Sequence, residues 1–263
     1  MTEVFGIDVS HYQGKIDWAK VRESGVKFAI LKCMYEAKSH RIDEQFEANY
    51  AGCKQNGIAV GVYIFIGSQS IKDPDADALA LLGHLKGRHL DYGIWLDYES
   101  DALRATGGTN IHWMTEIYVG YFKAAGYFVG VYCNWDWYKN VITARTRLCY
   151  DFWIARYPKN DQGKYNKLSL LRPSGARVSA WQYSSKGKVP GINTNVDLDV
   201  DYDGVLKLIA DTPYHRTYEE IAKEVLEEKW GTKDTIPSRK TLLKRAGYDY
   251  QKVQDIVNEM LKS

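Results

Sequence analysis

The sequence predicts an α/β fold: an irregular TIM-like barrel of eight strands and about five helices, with a small C-terminal three-helix domain. Three observations carry this. Apolar, β-prone runs recur along the first 200 residues; helical patterns fill the first five gaps between them; and the last gaps carry loop composition instead. The runs are 4–9, 26–33, 58–66, 93–97, 127–132, 151–155, 178–183 and 196–200. Strands of about five residues alternating with helices read as βα units. An open doubly wound sheet is the alternative, and it fits less well because the last strands lack crossover helices.

Each helix follows from its spacing. Residues 16–24 set Trp18 and Val21 on one side, and 43–56 repeat Phe46, Tyr50 and Cys53. Residues 75–86 offer Leu79, Leu82 and Leu85, and 111–125 offer Met114, Tyr118, Tyr121 and Phe122; 135–146 is shorter. Such spacings give one buried helical stripe. Gly25, Gly57, Gly87 and Gly126 stand where glycine ends helices. Residues 158–177 and 184–195 are rich in Gly, Ser, Asn, Pro and Lys, and read as loops.

The barrel occupies residues 1–210, a linker 211–216, and the helical domain 217–263. Thr217 with Glu220 forms a capping-box pattern, followed by Ile221, Val225 and Leu226 at helical spacing. Residues 238–246 and 250–261 read as the second and third helices.

Charge argues by exclusion. There are 35 basic and 33 acidic residues, and from Pro213 onward 10 and 9, so both parts are close to neutral. No basic stripe points to nucleic acid. No run of 18 apolar residues points to membrane insertion. Residues 1–6 lack a signal-peptide pattern, so synthesis in the cytoplasm is expected, with any action beyond the membrane depending on release by a holin or by lysis. The four cysteines form no CxxC pair and read as reduced structural thiols. The six histidines form no HExxH, and neither a metal site nor a cofactor is expected.

The chemistry starts at Trp95-Leu96-Asp97-Tyr98-Glu99. In a strand, residues i and i+2 share a face, so Asp97 and Glu99 project together, roughly 6.6 Å apart along the chain at about 3.3 Å per residue. Glycosidases use carboxylates about 5–9.5 Å apart. A pair that close tends to split its proton affinities, leaving one donor and one anion. A strand end carrying two solvated acids would look the same in isolation. Asp8 at the end of strand one and Asp197 in strand eight strengthen the catalytic reading, because strand ends form the active face of such barrels. Tyr63, Phe65, Tyr132, Trp153, Trp181 and Tyr183 offer rings for sugar stacking, although alternation must turn about half of them away.

The chain resembles glycoside hydrolase family 25, lysozymes that cut the muramic acid–glucosamine bond of peptidoglycan. The resemblance rests on Gly6-Ile7-Asp8-Val9-Ser10 with Gln13-Gly14 and Ile16-Asp17-Trp18, and on Lys27-Phe28-Ala29-Ile30 and Gly61-Val62-Tyr63. It continues through Asp97-Tyr98-Glu99, Gly130-Val131-Tyr132, Trp181-Gln182-Tyr183 and Val196-Asp197-Leu198-Asp199. It implies Glu99 as proton donor, Asp97 as the second carboxylate, and Asp8 and Asp197 as supporting acids. Asp97 would either stabilise an oxocarbenium-like state or orient the substrate's N-acetyl group. Tyr63, Phe65, Tyr132, Trp181 and Tyr183 are the candidate substrate contacts. The chain departs from the family at Cys33-Met34-Tyr35-Glu36, where Thr-Glu-Gly is usual, and at Tyr63-Ile64-Phe65, where a Tyr-His-Phe type is common. A chitinase barrel is disfavoured, since Trp95 and Tyr92 stand where it carries aspartates.

Residues 221–258 resemble the three-helix wall-binding repeat of phage lysozymes, through Lys229-Trp230-Gly231, Arg239-Lys240, Leu243, Ala246-Gly247-Tyr248-Asp249-Tyr250 and Val257-Asn258. That implies a peptidoglycan fragment as ligand, with Trp230 and Arg239 as candidate contacts. The whole reads as a phage-type endolysin whose partner is bacterial peptidoglycan. The competing readings are an inactive wall-binding barrel and a wall hydrolase cutting another bond.

Overall fold

The computed structural model describes residues 3–35, 40–202, 217–228, 230–232, 238–245 and 248–262. The expected linker 211–216, the barrel's last residues 203–210, Glu36, Lys229 and Ala246-Gly247 lie outside the described residues.

Eight strands close a barrel in chain order. They are β1 Val4–Val9, β2 Phe28–Lys32, β3 Ala59–Phe65, β4 Ile94–Tyr98, β5 Val129–Asn134, β6 Asp151–Ala155, β7 Val178–Gly187 and β8 Val196–Asp201. All eight coincide with the apolar runs. Strands β1 to β7 pair in parallel, whereas β8 runs antiparallel to both β7 and β1. Parallel neighbours need a crossover of a dozen or more residues, and the short stretch 188–195 permits only a hairpin.

The helices before the tail are α1 Trp18–Glu23, α2 Phe46–Gln55, α3 Ser68–Lys72, α4 Pro74–Leu85, α5 Asp101–Thr106, α6 Gly108–Ala124, α7 Trp135–Asn140 and α8 Ala144–Cys149. Three differences from expectation have local causes. The helix expected over 135–146 is two, because Thr143 caps a fresh start with its side chain accepting from the Thr146 N–H. Helices α3 and α5 are too short to show periodicity; Ser100 caps α5. In α4 the buried stripe is Asp77, Ala78, Leu81 and Leu85, and Leu79 stands exposed, so the leucine spacing placed the stripe one residue off. The glycines expected to end helices do so, with positive φ at Gly25, Gly57, Gly87 and Gly126.

Alternation along the strands builds two apolar layers. Inside the barrel lie Phe28, Ile30, Tyr92, Trp95, Phe128, Trp153 and Ala180. Outside, between strands and helices, a larger cluster holds Ile7, Val9, Leu31, Val62, Leu96, Val131, Ile154 and Val200. Interior rings fit because glycine faces them. A Cβ on Gly6 would come 2.3 Å from the Phe28 ring, and one on Gly130 2.3 Å from the Trp95 ring.

The tail has its own core of Ile221, Ala222, Val225, Leu243, Val253 and Val257. Its helices are α9 Tyr218–Leu226, α10 Arg239–Arg245 and α11 Tyr250–Met260. The Thr217–Glu220 capping box forms in both directions. Helix α10 also comes against α6 of the barrel. Among the described residues, no helix is long and apolar enough to cross a membrane. All four cysteines are free, three buried and Cys149 exposed.

Candidate active site

The C-terminal ends of the parallel strands form one mouth, and the acids gather there. Asp8 is the penultimate residue of β1. Asp97 lies in β4 beside Phe65 of β3 and Tyr132 of β5 in register. Glu99 follows β4 directly and is exposed. Asp197 sits near the start of β8, which in a parallel strand would be the far end of the barrel. The reversal of β8 puts it directly opposite Asp8. All four acids expected from the sequence therefore come together.

A fifth acid joins them. Asp199 is two residues along β8, fully buried, and accepts the Trp153 indole N–H at 2.8 Å. Its carboxyl lies beside that of Asp8. The strict alternation of Asp197, Asp199 and Asp201 in β8 was the available signal, since it aims every second residue inward.

Gln182 of β7 joins this group. Its Nε2 donates to Asp8 Oδ2 at 2.6 Å and, at longer range, to Asp197 Oδ2 at 3.4 Å. Its Oε1 accepts from the Tyr132 hydroxyl at 2.8 Å and from that of Tyr157. Sequence reasoning passed over Gln182 for the aromatics beside it. Ala180 and Gln182 face the barrel interior, so Trp181 and Tyr183 face the outer layer. There they pack with Tyr165, and the Trp181 indole donates to the Arg156 carbonyl at 2.9 Å. The structure does not bring Trp181 or Tyr183 to the acids, which corrects their placement as substrate contacts. Tyr63, Phe65 and Tyr132 do occupy the inner face at the rim, half-buried. Tyr157, just after β6, adds an exposed ring at the mouth.

Lys32 was also missed. It continues the inward series Phe28, Ile30, Lys32 in β2 and is in register with Tyr63. Its ammonium lies 4.8 Å from the centre of the Tyr35 ring. Its positive charge acts on both Asp97 and Glu99.

Burial and mutual repulsion raise the proton affinity of the whole set. Asp97, only 5% exposed, is pushed well above the usual carboxylate range by burial and then by Glu99, with Lys32 opposing. Glu99 is raised by the surrounding protein mass, again opposed by Lys32. Asp197 is pushed up to about 6 by burial, with Glu99 and Asp161 adding to the shift. Asp8 and Asp199 are raised well above their ordinary values, chiefly by burial and then by Asp197. Perturbed acids in a cleft mark a site suited to proton transfer. Asp97 Oδ1 is buried without a hydrogen-bond partner, which adds to the cost of ionising this carboxyl.

Elsewhere, His11, Asp43 and Glu44 bring potential metal-ligating atoms within 4.8 Å of one another. Those atoms already have protein partners. His11 Nδ1 meets Asp43 Oδ2 at 2.8 Å, and Glu44 takes the Tyr35 hydroxyl at 2.6 Å and Arg41 at 2.5 Å. In the tail, Trp230 donates to Glu224 Oε2 at 2.9 Å and Arg239 Nε to the Gly231 carbonyl at 2.9 Å, so both brace the module's own fold.

Comparison with known proteins bears on both parts. Residues 7–192 match the family described as glycosyl hydrolases family 25, and residues 219–261 match the CW_7 repeat. Lysozyme M1 of Streptomyces globisporus is 27% identical over 221 residues, covering 79% of this chain and 70% of its own length. The autolytic lysozyme of Clostridium acetobutylicum is 27% identical over 205 residues, 76% of this chain and 56% of its own. Among solved structures, the catalytic domain of endolysin ply40 from Listeria monocytogenes bacteriophage P40 superposes with a TM-score of 0.63 at 22% identity. That match covers 80% of this chain and 98% of that one, and at such identity the likeness is one of fold.

Proposed function

This chain belongs to glycosyl hydrolases family 25, and from that premise we propose that it is a muramidase. It would cleave the β-1,4 bond between N-acetylmuramic acid and N-acetylglucosamine in bacterial peptidoglycan. The observation that carries the reading is the Asp97–Glu99 pair: two carboxyls at one mouth, both raised in proton affinity, one deep and one open to the cleft.

Ionising both acids would set two like charges together in a poorly solvated site, so the pair shares a proton. Glu99 faces the cleft and protonates the leaving glycosidic oxygen. With substrate bound, Asp97 is favoured as the anion and the shared proton resides on Glu99. As the glycosidic bond breaks, that proton passes to the leaving oxygen and the Asp97 carboxylate faces the positive charge growing on the sugar. Asp97 then either stabilises the oxocarbenium-like state or holds the N-acetyl group as an internal nucleophile. Asp8 and Asp197 shape the electrostatics of the same pocket, and Tyr63, Phe65 and Tyr132 supply apolar surface for the sugar rings.

The tail would hold the enzyme on its polymeric substrate. The CW_7 match supports this, and tethering raises the local concentration of the barrel at the wall.

Digestion of purified sacculi, followed by reduction and mass spectrometry of the products, tests the reading. New reducing ends on N-acetylmuramic acid are expected. Ends on N-acetylglucosamine would move the bond, and free stem peptides would overturn the carboxylate mechanism. Glu99→Gln should lower turnover by about 10²–10⁴-fold while sedimentation with sacculi is unchanged. A fully active Glu99→Gln protein would refute the proton-donor assignment.

A further inference from the structure

We infer that Gln182 is a positioning residue for the hydrolysis proposed above, an amide clamp that sets Asp8 and Asp197 in place while two tyrosine hydroxyls hold the amide itself. The inference rests on that functional reading.

The geometry leaves the amide one orientation. Gln182 is 1% exposed, so each polar atom of its side chain needs a partner inside the protein. Its Oε1 takes two phenolic hydroxyls, Tyr132 from β5 and Tyr157 from beyond β6. Its Nε2 faces two carboxyls, Asp8 from β1 and Asp197 from β8. Rotating the amide by half a turn would set its carbonyl oxygen against both carboxylates, leaving neither a donor from this side chain. Tyr132 and Tyr157 remain protonated donors, since burial holds both hydroxyls above the ordinary tyrosine range.

Four segments distant in sequence thus meet on one side chain. The amide N–H at 2.6 Å favours the ionised form of Asp8, opposing the burial that pushes it toward protonation, while Asp197 is reached only at longer range. Among the described residues, the other titratable groups facing this cluster are Asp199 on β8, Asp97 and Glu99 at the end of β4, Tyr63 on β3, and Asp161 in the loop after β6. None of them supplies an N–H, so the amide's donors are not duplicated from these groups.

The test measures release of reducing ends from sacculi between pH 4 and 9, with thermal melts beside it, for the wild type, Gln182→Met and Gln182→Glu. Methionine keeps the length and removes the donors. Its kcat should fall about 10²-fold with KM little changed, the loss deepening toward acid pH because the acids protonate more readily without the N–H donors. Glutamate still accepts both hydroxyls but donates to the acids only when protonated. Its activity relative to wild type should therefore be highest at the acid end and fall as its carboxyl ionises. Wild-type kcat in Gln182→Met, or the same pH ratio in both variants, would overturn the clamp. If Gln182→Met fails to fold, Tyr157→Phe takes its place, removing one anchoring hydroxyl at the open rim. A several-fold drop in kcat at unchanged melting temperature supports the clamp, and wild-type kcat overturns it. Failure of the wild type to release any reducing ends would instead strike the functional reading, before any variant is considered.

Discussion

Asp199 is a carboxyl that the fold holds against its preference. Burial and Asp197 raise its proton affinity well above the ordinary range, while in an unfolded chain it would titrate near ~3.9. A group raised on folding contributes its full stability below the unfolded pKa and loses it as pH rises through the folded value. Replacing it should therefore matter little at pH 3–4 and help at neutral pH. Asp199→Asn keeps an acceptor for the Trp153 indole and offers Asp8 an N–H. It is expected to raise the melting temperature at pH 7–8 by about 2–4 °C, on the order of 1–2 kcal/mol, with the gain vanishing near pH 4. Thermal melts across that range check it, and a gain that is equal at both ends would contradict the assigned cause. Asp197, pushed up to about 6, faces the same mouth. If its ionised form is the working one, Asp197→Asn should remove the limb of the pH–activity profile near pH 6, which a profile on sacculi measures directly.

At the scale of elements, the barrel depends on rings of one strand filling the space that glycine leaves on its neighbour. Trp95 is fully buried and its indole N–H is fixed to the Tyr92 carbonyl at 2.8 Å, so it cannot retreat from a side chain added at residue 130. Gly130→Ala should cost about 1–3 kcal/mol as overpacking, seen as a lower melting temperature. Strand β8 makes the complementary point. Its reversal turns an acid at a strand's beginning into one at the rim where Asp8 lies, and its bulged pairing with β7 brings Gln182 beside Asp197. The strands themselves were legible, because short continuous apolar, β-prone runs between helical patterns need only local information. The direction of β8 and the faces of Trp181 and Tyr183 were not, because in aromatic-polar-aromatic Trp181-Gln182-Tyr183 either parity buries an acceptable surface.

At the scale of the whole molecule, barrel and tail have separate apolar cores, which fits separate tasks. The barrel alone, ending at residue 210, is expected to cut soluble glycan fragments as well as the full chain does. On intact walls its apparent affinity should drop by roughly 10²-fold, the loss of a tether rather than of a catalyst. Comparing the two chains on both substrates checks this; equal loss on both would assign the tail a role in folding instead.

The sequence by itself determined the eight strands, the helix-ending glycines, the capping box at Thr217 and the four acids Asp8, Asp97, Glu99 and Asp197. Each of these is written in spacing or residue chemistry over a few neighbours. Only the tertiary structure decided that Asp199, Gln182 and Lys32 complete the site and that Trp181 and Tyr183 leave it. Those assignments depend on which face of a strand turns inward and which way the last strand runs. Closure of the barrel settles both, bringing Gln182 to Asp8 across 174 residues of chain.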